Sequence, residues 1–151
     1  MKDRVEKAVE LFKSGYNCSQ SVVAAFADMY GFTQEQALRM SASFGGGIGR
    51  MRQTCGAACG MFLRAGLEKG VVDGKDREGK AANYALVQQL AEEFRKRNGS
   101  MICAELLGLK KPEGSSTPEA RTEQYYAKRP CAKMVEEAAA IWAEYLEKQR
   151  K

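Results

Sequence analysis

The chain has 151 residues, a length at which one domain can bury a core of its own without disulfide bonds. Its formal net charge is +5, but the basic residues are interspersed with acidic ones and the short basic runs fall near expected helix C-termini, so we expect no nucleic-acid surface. The chain contains no histidine, which excludes a histidine general base, histidine-based triads and histidine metal ligands.

Three helical patterns with recognisable starts occupy the first part of the chain. Apolar residues recur at helical spacing over about residues 4–14. The second and third helices begin at capping sequences, Asn17-x-x-Gln20 and Thr33-x-x-Gln36. The third pattern stops at residues 45–49, the glycine loop Gly-Gly-Gly-Ile-Gly, which cannot form a helix interior.

Helical patterns also dominate the remainder of the chain. Thr54 is placed to cap a fourth helix, and the longest helix runs from Asp73–Asp76 to the stop at Asn98-Gly99. The later segments are predicted to be a short turn through Cys103, a loop over 111–116, a helix restart at Thr117-Pro118-Glu119 and a last helix opened by Pro130-Cys131.

No segment of strand length alternates apolar and polar residues with period two. The sequence therefore predicts an all-α fold. We expect a compact bundle of five or six helices, with a Gly-rich loop before the cysteine-motif helix, because amphipathic stripes must bury one another. We also expect residues 1–151 to form one helical domain.

The five cysteines carry the functional signal. The N-terminal segment is charged where a secretory signal needs an apolar stretch, and no apolar run approaches the length of a membrane span. We therefore expect a cytoplasmic protein with no membrane segment. Thiols stay reduced in that compartment, so these residues favour catalysis, redox sensing or metal binding over a structural disulfide framework.

Four of the cysteines fall in the first turn of a predicted helix: Cys18, Cys55, Cys103 and Cys131. A helix N-terminus carries partial positive charge and free N–H donors, which stabilise a thiolate, the reactive and metal-ligating form of cysteine. If the bundle brings these helix starts together, they form an electropositive site, with the four thiolates as candidate metal ligands. We expect backbone donors from Gly46, Gly47 and Gly49, and positive charge from Arg50 and Arg52 beside Cys55.

Cys55 and Cys59 are the candidate catalytic pair. They are four residues apart, so both sulfurs leave one helical face about one turn apart and can share a site or form a sulfur relay. Cys55 is the first choice for the nucleophile, because a cap, the glycine loop and two arginines are all expected nearby. The alternative for Cys59 is a small hydrophobic core residue.

The cysteine motif Thr54-Cys55-Gly56-Ala57-Ala58-Cys59-Gly60 resembles that of the C-GCAxxG-C-C family of redox-active proteins. The resemblance extends to Tyr16–Gln20, to Cys103 followed by Glu-Leu-Leu-Gly, and to Cys131. It implies that the family's cysteines correspond to Cys18, Cys55, Cys103 and Cys131, with Cys59 at a variable position. The order of the first two motif letters is reversed in this chain.

A similar domain in split-Soret cytochromes is associated with iron–sulfur binding, so the resemblance implies an iron–sulfur cluster as the first candidate cofactor. The chain lacks Cys-x-x-Cys-His, the attachment site of c-type haem. The resulting first hypothesis is electron transfer through a cluster held by four cysteines, with a redox partner protein. The alternatives are a thiol–disulfide oxidoreductase or redox sensor without metal, and an interaction module with structural zinc or core cysteines. An exposed apolar stripe could also support a homodimer.

Overall fold

The computed structural model describes residues 1–109 and 115–149, and within them the chain is all-α, as predicted. The eight α-helices are α1 (Lys2–Lys13), α2 (Cys18–Ala25), α3 (Gln34–Ser41), α4 (Gly56–Lys69), α5 (Arg77–Asn98), α6 (Cys103–Leu106), α7 (Glu123–Lys128) and α8 (Cys131–Gln149). The prediction of five or six helices is wrong in number, because the short α6 and α7 add to six longer helices. No helix in the described ranges is long and apolar enough to cross a membrane.

Helix α2 lies at the centre of the fold and packs against α1, α3, α4 and α8. Small residues on α4 permit its close approach: a Cβ added at Gly60 would lie 3.0 Å from the Cβ of Val22. A Cβ added at Gly56 would lie 3.3 Å from the Cβ of Cys18. The N-terminal ends of α2 and α4 are therefore in contact, which brings their cysteines to one end of the bundle.

The two predicted capping sequences form as expected. The Asn17 side chain accepts a hydrogen bond from the Gln20 N–H at 2.9 Å, and the Gln20 side chain accepts one from the Asn17 N–H at 3.1 Å. Thr33 and Gln36 form the same reciprocal pair at the start of α3. Thr54 does not cap α4. Its N-cap is Cys55, without a side-chain cap, because Thr54 forms an isolated antiparallel bridge with Ile102.

The predicted helix restart at Thr117-Pro118-Glu119 is wrong. Residues 115–122 are non-helical, and α7 begins only after Thr122, whose side chain accepts a hydrogen bond from the Tyr125 N–H at 3.1 Å. Arg121 holds this segment against the start of the chain by donating to the carbonyls of Phe12 and Tyr16. Most of the predicted loop at 111–116 lies outside the described residues, as do the basic residues at 110–111 and 150–151.

Candidate functional site

Each of the four predicted cysteines stands at the start of a helix. Cys18, Cys103 and Cys131 are the first residues of α2, α6 and α8, and Cys55 is the N-cap of α4. The sequence prediction of four cysteine-bearing helix starts is confirmed. The four thiols also influence one another electrostatically, since the charges of Cys55, Cys103 and Cys131 all raise the pKa of Cys18.

A short antiparallel contact places Cys55 beside Cys103. The backbone N–H of Cys55 donates to the Met101 carbonyl at 2.7 Å, and the N–H of Cys103 donates to the Gln53 carbonyl at 2.6 Å. These bonds join the segment before α4 to the segment before α6, on either side of the Thr54–Ile102 bridge. Two cysteines that are distant in sequence are thereby fixed on adjacent stretches of backbone.

The glycine loop has a left-handed backbone. The five residues from Gly46 to Arg50 all have positive φ, and two of them, Ile48 at 67° and Arg50 at 61°, are not glycine. L-residues disfavour this region by about 1–2 kcal/mol each, so consecutive occurrences require support from their surroundings. Hydrogen bonds supply part of it: the N–H of Gly49 donates to the Ser43 carbonyl at 2.8 Å, and that of Gln53 to the Gly47 carbonyl at 2.9 Å.

This left-handed loop packs directly on the starts of two helices. A Cβ at Gly47 would lie 2.6 Å from the Cβ of Cys103, and a Cβ at Gly45 would lie 2.5 Å from the Asn17 side chain. No side chain could occupy either position without moving the neighbouring group. The loop therefore sets the distance between the start of α2 and the start of α6.

The two arginines after the loop donate to different groups. The Nη1 of Arg52, a buried residue, donates to the Sγ of Cys103 at 3.7 Å. The Nη1 of Arg50 donates to the Ser115 carbonyl at 2.8 Å. The segment 52–55 thus turns the Nη1 of Arg52 towards the start of α6.

Cys18 and Cys131 act directly on each other: a hydrogen bond between their thiols is the largest cause of the pKa shift of each. The Cys18 thiol donates to the Cys131 thiolate, which lowers the pKa of Cys131 to about 7 and raises that of Cys18. The charges of Arg129, Arg52 and Arg121 lower the pKa of Cys131 further. The thiolate is therefore most stable at Cys131.

Burial decides the state of Cys55 and Cys103. The N–H groups of Ala57 and Ala58 stabilise the Cys55 thiolate, as expected at a helix start, but burial outweighs them and raises its pKa to about 12. Burial also raises the pKa of Cys103, despite its contact with Arg52. The low pKa expected at Cys55 is therefore found at Cys131 instead.

Cys59 lies one helical turn after Cys55, and its N–H donates to the Cys55 carbonyl at 2.9 Å. Its thiol donates to the Thr54 carbonyl at 3.8 Å, and burial raises its pKa to about 11. In the described residues no other cysteine contributes to that shift. This environment resembles that of a small hydrophobic core residue, which is the second interpretation given by the sequence.

A cavity of about 370 Å³ opens onto the cysteine pair. Among the five cysteines, only Cys18 and Cys131 line it; Gly46 and Gly49 lie on its wall, whereas Gly47 packs behind it. Its charged lining residues in the described part of the chain are Arg50, Arg52, Arg121, Arg129 and Glu119.

Several of these lining residues were not predicted from the sequence, including Arg121 and Arg129. Arg129 precedes Cys131 by two positions, so proximity in the sequence was an available signal. Arg121 gave no such signal, because it reaches the site through tertiary contacts with the Phe12 and Tyr16 carbonyls.

The four predicted metal ligands share one region but do not form a preformed metal site. Within residues 1–109 and 115–149, no group of three or more cysteine or carboxylate side chains is placed to hold a metal ion. The Cys18–Cys131 pair lines the cavity, whereas Cys55 and Cys103 lie buried outside its lining. The arrangement is thus that of a dithiol with two further thiols in its surroundings.

The pKa order of the thiols predicts the order of their alkylation. Because Cys131 has a pKa of about 7 and lines the cavity, its rate of reaction with iodoacetamide should rise with pH and reach half its maximum near pH 7. The other four thiols should react slowly at that pH, since each has a raised pKa. Peptide mass spectrometry after timed labelling measures each rate. Faster labelling of Cys55 than of Cys131 would contradict this order.

Four cysteine-bearing helix starts, with two of the thiols on one cavity, define a small helical protein with a cysteine-based site. The family model described as "Putative redox-active protein (C_GCAxxG_C_C)" matches residues 16–145, and the chain belongs to this family. The resemblance recognised in the cysteine motif is confirmed. No curated protein and no solved structure matches the chain.

Proposed function

We propose that the protein is a dithiol–disulfide oxidoreductase in which Cys131 is the nucleophile and Cys18 is the resolving thiol. The observation that carries this proposal is that Cys18 and Cys131, alone among the five cysteines, line one cavity. A hydrogen bond between their thiols is the largest cause of the pKa shift of each. A pair of this kind can exchange two electrons without a metal. Cys131, the thiol with the lower pKa, attacks the substrate first.

The reaction is an ordinary thiol–disulfide exchange. The Cys131 thiolate attacks one sulfur of a substrate disulfide and releases the other sulfur as a thiolate, which takes up a proton. Cys18 then loses its proton and attacks the Cys131 sulfur of the mixed disulfide, releasing the second substrate thiol. The substrate gains two electrons and two protons, and a Cys18–Cys131 disulfide remains.

Arginine charge supports the first step of this exchange. Arg129, Arg52 and Arg121 each stabilise the Cys131 thiolate, so a larger fraction of the protein is nucleophilic near neutral pH. The hydrogen bond from Cys18 adds to this effect while keeping the resolving sulfur close. We place this chemistry in the cytoplasm, where a redox partner protein would return electrons to the oxidised pair.

An iron–sulfur cluster is the second candidate. The hydrogen bond with Cys131 is the largest cause that raises the pKa of Cys18, and burial is the largest for Cys55. Charge repulsion from the other thiols raises both pKa values further, and a bound cation would relieve that repulsion. The four helix-start cysteines, Cys18, Cys55, Cys103 and Cys131, would be its ligands. Their side chains would have to move closer together, since no three of them form a site in the described structure.

One preparation separates the two candidates. We expect anaerobically purified protein to be colourless, and mild oxidation to remove two hydrogens by forming the Cys18–Cys131 disulfide, identified by peptide mapping. Broad absorbance between about 400 and 450 nm, with stoichiometric iron and sulfide, would favour the cluster. Oxidation that links a different pair of cysteines would overturn the assignment of roles. Cys59→Ser is the matched control and should form the same disulfide.

A further inference from the structure

Among the described residues on the cavity wall, positive side chains outnumber negative ones. Four arginines but one carboxylate, Glu119, line it among the described residues. Glu119 forms an ion pair with Arg129. The lining therefore favours an anion, and low-dielectric walls strengthen such a preference.

Arg121 is the clearest source of this preference. Its Nη1 donates to the Phe12 carbonyl at 2.8 Å and its Nη2 to the Tyr16 carbonyl at 2.9 Å. Its guanidinium carbon lies 4.3 Å from the centroid of the Phe12 ring. These acceptors in the described chain are neutral, so they hold the guanidinium in place without cancelling its charge.

The size of the cavity limits what can bind. Its volume of about 370 Å³ falls at the lower end of the range for small-molecule sites, about 300–1,000 Å³. Cys18 and Cys131 are half-buried on its wall. A substrate disulfide must approach them through the cavity, and a small disulfide fits a cavity of this size.

We propose that the cavity binds small disulfides that carry carboxylates and presents their sulfur atoms to Cys131. The reaction step of this inference rests on the proposed function. The binding step rests on the cavity and its arginines. The arginines attract the carboxylates, and the exchange described above then transfers two electrons to the disulfide.

Three small disulfides of similar length and different charge test the inference: 3,3′-dithiodipropionate, bis(2-hydroxyethyl) disulfide and cystamine. The rate at which the reduced protein consumes each is divided by the rate for 2-mercaptoethanol with the same disulfide, so that differences in leaving thiol cancel. We expect the normalised rate for 3,3′-dithiodipropionate, a dianion, to exceed that for cystamine, a dication, by roughly tenfold or more at low ionic strength. The ratio should shrink as salt is added.

Variants of Arg129 test whether the charge preference arises at the cavity. Arg129→Gln should lower the normalised ratio, whereas Arg129→Lys, which keeps the charge, should retain most of it. Arg95→Gln removes the same charge from the exposed surface of α5 and should leave the ratio unchanged. Because each ratio compares two substrates on one variant, a change in the reactivity of Cys131 does not affect it.

Binding is tested separately from reaction. Suberate, an unreactive dicarboxylate of the same chain length as 3,3′-dithiodipropionate, should slow the alkylation of Cys131, whereas 1,6-diaminohexane should not. Equal normalised rates for the three disulfides would overturn the inference and leave the oxidoreductase proposal standing. Protection by suberate without reduction of any disulfide would overturn the oxidoreductase proposal and its transfer step, while supporting the anion site. Neither protection nor reduction would overturn both.

Discussion

Replacing Cys131 with serine is expected to lower the rate of disulfide reduction on the order of 10³-fold or more, as the loss of a nucleophile does in other covalent mechanisms. A serine hydroxyl is not ionised near neutral pH, so it cannot use the positive charge that lowers the pKa of Cys131 to about 7. The measurement is the initial rate of consumption of 3,3′-dithiodipropionate by the reduced protein. Cys131 is half-buried on the cavity wall, so the serine variant should fold.

Two further substitutions test the role of the resolving thiol and provide a control. Cys18→Ser should still attack the disulfide but stop at the mixed disulfide on Cys131, which mass spectrometry detects as an adduct. Cys59→Ser should retain the wild-type rate, because the Cys59 thiol donates to the Thr54 carbonyl and lies away from the cavity. If Cys131→Ser kept its activity while Cys55→Ser lost it, the nucleophile would be Cys55, the choice made from sequence alone.

Local features of this fold were predictable because neighbouring residues determine them. The Asn17–Gln20 cap depends on one turn of backbone and side chains three positions apart. The position of each cysteine at a helix start follows from the same kind of signal. The left-handed conformation of the glycine loop also has a local cause in its glycines, although Ile48 and Arg50 adopt it only with tertiary support.

The order of thiol acidity was not predictable in this way. Cys55 has the helix-start donors that the sequence implied, yet burial raises its pKa to about 12. Cys131 has a low pKa because Cys18, more than a hundred positions earlier in the chain, and Arg121, ten positions earlier, approach it in the folded structure. Helix starts thus identify candidate thiolates, whereas tertiary packing selects among them.

The arrangement of the site also explains the separation of roles among the cysteines. The cavity exposes the pair that can exchange electrons, while Cys103 is buried against Gly47 and Arg52. Cys55 is joined to the same region through the bridge between Thr54 and Ile102. Substitutions around Cys55 and Cys103 should therefore lower the stability of the protein more than they change the reactivity of Cys18 and Cys131.

Gly47→Ala is expected to destabilise the protein by about 2–5 kcal/mol, combining the cost of a left-handed alanine with that of overpacking. Its φ is +74°, and the added Cβ would lie 2.6 Å from the Cβ of Cys103 and 2.7 Å from the Gln53 nitrogen. Gly49→Ala is the matched control: its φ is +57° and nothing lies within 4 Å of its Cβ, so it should cost only about 1–2 kcal/mol. Urea unfolding of both variants measures the difference. Equal losses would show that the glycine loop is required for its backbone conformation alone and that its packing against Cys103 contributes nothing to stability.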